Sequence, residues 1–153
     1  MDAEKYLTPS LLALDKELAE GDVVLYNACI QYQDYWAEIG RTITVGTASK
    51  EQTDLYNAAA TAQQAGITAA KVGAKASDAA TAILQSLQDT NYAQYLNTEY
   101  GFGHGVGLTF DEAPVIAVNN NTPLKAGMTI IVKVGLHAPG IGGAFLADTL
   151  CQY

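Results

Sequence analysis

The apolar residues fall into three regimes: two β-rich runs, two stretches at helical spacing, and then short strands between glycine turns. Asp22 to Ile30 and Tyr35 to Val45 are the β-rich runs. They are close enough to predict a hairpin turning near Gln31–Asp34. From Ser49 the spacing changes. Leu55, Ala58, Ala59, Ala62, Ala65 and Ala69 recur as one helical face, and Gly73 predicts the stop. Gln52 follows Ser49 by three residues, a capping box in which each side chain satisfies an orphan backbone N–H of the other's turn. Ser77 predicts the cap of a second helix carrying Ala80, Ile83, Leu84 and Leu87 on one face. After Tyr100, strands are expected at Val115–Val118, Thr129–Leu136 and Ala144–Leu150, with a turn at Asn119–Pro123. Ahead of the hairpin, Thr8-Pro9 and Leu11–Leu14 predict a short helix that stops at Gly21.

The order β-β-α-α-β-β-β predicts an α+β fold with helices on one face of a mostly antiparallel sheet. Both helices are rich in alanine, so they can approach a flat surface closely. With 153 residues the chain makes one domain, residues 1–153, with a real core. No repeat or low-complexity linker divides it.

Charge and cysteine content narrow the function. The net charge is −8, which argues against direct nucleic-acid binding, because phosphate neutralisation needs clustered Lys and Arg. The same charge suits a basic partner. No apolar run is long enough to span a bilayer, and Met1–Lys5 does not open a signal peptide. Membrane association is therefore not expected. Cys29 and Cys151 lack metal-site spacing and read as reduced thiols of an intracellular protein.

The candidate chemistry lies in Gly101-Phe102-Gly103-His104-Gly105-Val106-Gly107-Leu108, followed by Phe110-Asp111-Glu112-Ala113-Pro114. Gly127-Met128, Gly135, Pro139-Gly140, Gly142-Gly143 and Asp148-Thr149 come after it in order. The glycines do not form a phosphate loop, since no Lys-Ser/Thr end follows. This succession, over roughly residues 20 to 150, resembles the "pita-bread" metallopeptidases: methionine aminopeptidase, prolidase, aminopeptidase P and creatinase. The resemblance implies a curved sheet with helices on one face. It also implies a truncated fold, with residues 1–20 not matching and 21–153 matching. The leading helix pair of that fold is missing, which implies a homodimer or a part of a longer chain or complex, unless residues 1–20 form a replacement cover.

The resemblance further implies five ligands for two metal ions, and it carries them onto Asn27, Glu38, His104, Lys133 and Ala147. Asn27 and Glu38 keep the eleven-residue spacing of two aspartates, with Arg41-Thr42 following as in the family. His104 keeps the histidine. Lys133 and Ala147 replace two glutamates fourteen residues apart. A dinuclear site needs several carboxylates to bridge its ions and offset their charge. A protonated lysine cannot ligate and repels a cation. Lys133 is expected to pair with Glu38 instead, so no metal and no other cofactor is expected. Asp111 stands where the family has a substrate-contacting histidine, and His137 replaces a tyrosine-like position. Asp111, Glu112 and His137 are thus cleft or binding candidates.

Several departures lean toward the non-catalytic branch, the peptidase-like N-terminal module of the FACT histone chaperone large subunit. Ile39-Gly40-Arg41-Thr42, Asn119-Asn120 before Leu124, and Leu146-Ala147-Asp148-Thr149 carry that likeness. Three functions follow. The first is an inactive peptidase-like module that binds a peptide or a basic protein such as a histone, with no catalytic residue expected. The second is a divergent, metal-independent hydrolase of a small peptide or creatine-like substrate, or one with residual aminopeptidase or prolidase activity. In it His104 shuttles protons while Glu38 and Glu112 orient substrate. The third is a structural paralogue within a larger assembly. A nuclear location follows from the chaperone likeness, and a cytoplasmic one otherwise.

Overall fold

The computed structural model describes residues 15–98 and 101–153. Strands β1 (Val23–Tyr32), β2 (Tyr35–Thr44), β3 (Gly103–Gly105), β4 (Glu112–Val115), β5 (Thr129–Ala138) and β6 (Gly142–Cys151) form one sheet. Their spatial order is β1-β2-β6-β5-β3-β4, and every pairing is antiparallel. Helices α1 (Lys50–Ala69) and α2 (Ala76–Gln88) complete the α+β fold.

The β1–β2 hairpin turns through Gln33 and Asp34, which take φ of 49° and 69°. Two consecutive left-handed residues give a turn whose twist matches that of the flanking strands. The ladder runs without interruption from Tyr32↔Tyr35 to Val23↔Thr44.

Helix α1 starts as expected. The Ser49 side chain accepts from the Gln52 N–H, and the Gln52 side chain accepts from the Ser49 N–H. Gln52 also donates to the Gly21 carbonyl, tying the helix start to the strand entry. The second cap differs from expectation. Ser77 is buried inside α2, and the cap is Lys75, whose N–H is held by the Asp78 carboxylate. The capping side chain therefore reaches back from the first turn.

Helix α1 packs on β5 and β6, and α2 packs on α1. Residues Ile130, Val132, Val134 and Leu136 of β5 meet Leu55, Ala59, Ala62 and Ile83 in one core. Gly66 permits this close packing: a Cβ there would lie 2.7 Å from Ile83 and 3.1 Å from Val132. The other sheet face carries a smaller cluster of Val106, Ile131, Phe145 and Ala147, with Leu25 and Trp36 packed against it. Strand alternation makes the division, because successive side chains point to opposite faces.

Three further departures stand out. The His104 segment, expected as a glycine turn, is a strand paired with β5. Strand β4 covers Glu112–Val115 instead of 115–118, because Gly105 pairs back to Glu112. The leading helix falls largely outside the described residues, and Asp15–Ala19 is not helical.

Candidate functional site: a lysine-centred cleft

The β1–β2 ladder places Cys29 directly opposite Glu38, and Asn27 opposite Gly40. All four positions share the sheet face that lies away from the helices. Lys133 and Ala147 are direct partners across β5 and β6, and Ala147 also faces Gly40 of β2. His104 arrives on β3, next to β5. The topology therefore brings four distant segments to one patch of sheet.

Three buried polar groups meet there. Lys133 Nζ lies 3.5 Å from Glu38 Oε2 and 3.3 Å from His104 Nε2. His104 Nε2 is 3.9 Å from the same Glu38 oxygen. The Glu38 side chain is 1% exposed and that of Lys133 is 10% exposed, so the pair is withdrawn from water. Glu38 Oε2 makes no hydrogen bond among the described residues, and at 3.5 Å it is charge that holds the ammonium to it. The histidine tautomer follows from its partners. His104 Nδ1 lies 2.9 Å from the Gly105 carbonyl, which only an N–H can satisfy. Nε2 is then left to accept from Lys133.

Aromatic rings wall the cluster. Phe110 stands edge-on to His104 at 5.4 Å between centroids, and Trp36 stands edge-on to Phe110 at 5.9 Å. The Trp36 N–H donates to the Gly107 carbonyl, joining the hairpin tip to the glycine-rich segment. Ala147 is fully buried against Phe145, and a Cβ on Gly40 would meet the Phe145 ring at 2.4 Å. The floor is apolar and close-packed.

The remaining candidates are spread more widely. Asn27 is exposed on β1. Asp111 is 74% exposed, with Oδ1 3.8 Å from His104 Nδ1. The Glu112 carboxylate accepts from both the N–H and the hydroxyl of Thr109, so it closes its own loop. His137 lies on the same face as Lys133, four residues along β5 and about 13 Å away at ordinary strand rise. Among the described residues its Nε2 has no hydrogen-bond partner. Sequence reading overlooked Cys29 and Phe110. Cys29 could have been found from its place two residues after Asn27, on the same face. Cys29 is exposed, but partial desolvation at the sheet surface pushes its thiol up, the Glu38 carboxylate adds to the rise, and Lys133 opposes it.

The donor set does not fit two metal ions. It offers one carboxylate, one imidazole, an exposed amide, an ammonium and a methyl. Among the described residues no three of His, Cys, Asp and Glu converge as a metal-holding group. No helix among them is long and apolar enough to cross a membrane.

The chain is 33% identical over 142 residues to an Xaa-Pro dipeptidase from Pyrococcus horikoshii, covering 93% of this chain and 40% of that protein. It thus spans well under half the length of the curated relatives it matches. Among solved structures, a prolidase from Pyrococcus furiosus superposes with a TM-score of 0.88 at 32% identity, over 99% of this chain and 44% of that one. The N-terminal domain of a FACT complex subunit from Cicer arietinum (chickpea) superposes with a TM-score of 0.85 at 25% identity, over 99% and 38% respectively. The fold is therefore the pita-bread fold expected above. The sequence pattern of metallopeptidase family M24 matches residues 4–151, reaching well into the leading segment, and the chain belongs to that family.

Proposed function

We propose that this chain is a non-catalytic member of its family, a module that binds a peptide or a basic protein through its old cleft and acidic surface. One observation carries the reading: the Lys133 ammonium stands between Glu38 and His104, where a dinuclear enzyme would gather its ligands around ions. A fixed internal cation and a bound divalent ion repel each other strongly in a site withdrawn from water. His104 is engaged at both nitrogens, so it is not poised to take a proton from substrate. The net charge of −8 supports a cationic partner, such as a histone tail.

A second reading has its own support. The 33% identity to an Xaa-Pro dipeptidase favours a residual hydrolase working with His104, Glu38 and Glu112. Two measurements separate the readings. Calorimetric titration with Mn²⁺, Co²⁺ and Zn²⁺ is expected to show no stoichiometric binding, and Xaa-Pro dipeptides are expected to remain intact while basic peptides bind. Turnover of an Xaa-Pro dipeptide that disappears in His104→Ala would overturn the binding-module reading.

A further inference from the structure

The two outer strands of the sheet are built differently. Strand β4 is four residues long, contains Pro114 and pairs through a register shift at His104/Gly105. These are devices that blunt an edge. Among the described residues, β1 is the other outer strand, and it has none of them. It runs ten residues, VVLYNACIQY, without a charge, a proline or a bulge.

The outward-facing backbone groups of β1 can be assigned. On β2, the Trp36 N–H donates to the Gly107 carbonyl and the Glu38 N–H donates to the Thr149 hydroxyl, both away from β1. In an antiparallel ladder, residues directly opposite turn the same way, either both toward each other or both outward. Gln31 and Cys29 are opposite Trp36 and Glu38, so they face outward, and alternation adds Asn27, Leu25 and Val23. Five residues thus offer N–H and C=O groups at the open side, of which Leu25, Asn27, Cys29 and Gln31 are centred on Ala28.

The side chains complete the pattern. Tyr26, Ile30, Tyr32, Tyr35, Ile39 and Ile43 lie on one face of the hairpin, and all are exposed. Ile39 pairs with Asp148 of β6, which places this apolar strip on the helix-bearing side, beyond the reach of α1.

We infer that β1 pairs antiparallel with β1 of a second copy, joining two sheets about a two-fold axis near Ala28. The occupant is another copy because an uncharged strand is complementary to itself in this arrangement. Its outward groups meet the same groups reversed, and with the axis at Ala28 the apolar Tyr26 falls against Ile30 of the partner subunit. No charge lies on β1 itself, and the acidic residues nearest the junction, Asp22 and Asp34, stand beyond its two ends.

The test is sedimentation and hydrogen exchange on the full 153-residue chain. The expected mass is twice 16.1 kDa, with slow exchange at the amides of Leu25, Asn27, Cys29 and Gln31 that becomes fast on dilution to monomer. Asn27→Pro removes an outward N–H while sparing the β1–β2 ladder, and it is expected to give a folded monomer. Ile30→Lys tests the apolar strip if the proline variant fails to fold, and it should also halve the mass. A monomer at high concentration would overturn the inference. So would a dimer whose four β1 amides exchange freely, or a monomer in which they are already protected by another part of the chain.

Discussion

Lys133 and Ala147 face each other across the β5–β6 ladder, an ammonium beside a methyl. The methyl belongs to an apolar floor with Phe145 and Val106, while the ammonium reaches across to Glu38. The two residues are physically linked. A small apolar residue at 147 leaves the long lysine free to cross the face, and the lysine supplies the positive charge that buried Glu38 requires.

Removing that charge should be costly. Lys133→Met is expected to destabilise the fold by about 3–5 kcal/mol, because Glu38 is left buried and unpaired. Adding Glu38→Gln in the same background should recover most of the loss. Urea unfolding of the wild type, the single variant and the double variant measures both steps.

Cys29 reports on the same cluster. Partial desolvation and the Glu38 carboxylate hold its thiol above the ordinary range, and Lys133 pulls it down. Glu38→Gln should therefore shift the pH profile of Cys29 alkylation to lower pH, with faster reaction at neutral pH. Lys133→Met should shift it to higher pH. Mass spectrometry of alkylated peptides, with Cys151 as the internal reference, reads the direction.

Gly103 holds His104 in place. Its φ is 132°, and a Cβ there would sit 1.8 Å from the Ile131 carbonyl oxygen. Gly103→Ala is expected to cost at least about 2 kcal/mol and to disturb the β3–β5 pairing. Thermal unfolding, together with the His104 imidazole resonances in NMR spectra, would show both effects.

Gln52 joins the α1 cap to the strand entry at Gly21. Gln52→Ala should cost about 1 kcal/mol, in line with the loss of a helix cap. It should also speed amide exchange at Ser49, whose N–H the Gln52 side chain holds, without changing exchange in α2.

Much of this was legible in the residue pattern. The hairpin, the Ser49–Gln52 cap, and the β5 and β6 runs announce themselves through local periodicity and capping chemistry. The Lys133–Glu38 pair was expected only through the family resemblance, which carries two ligand positions onto these residues; no local pattern links them. What stayed hidden depends on distant pairing. Gly103-His104-Gly105 has no apolar alternation, and it becomes a strand only because β5 lies beside it. Ser77 looks like a cap, but Asp78 secures the Lys75 N–H instead. Phe110 gains meaning only once its ring is seen between Trp36 and His104.

On the proposed non-catalytic reading, the lysine at the centre of the cleft also makes the loss of metal chemistry hard to reverse. A glutamate returned at position 133 alone would stand beside buried Glu38 with no cation between them. A glutamate returned at 147 alone would be driven into the packing of Phe145 and Val106. Each first step toward a metal site weakens the fold before any ion could reward it. On that reading, selection working one substitution at a time meets a valley on every side, and the chain's own packing acts as a ratchet against a metal site.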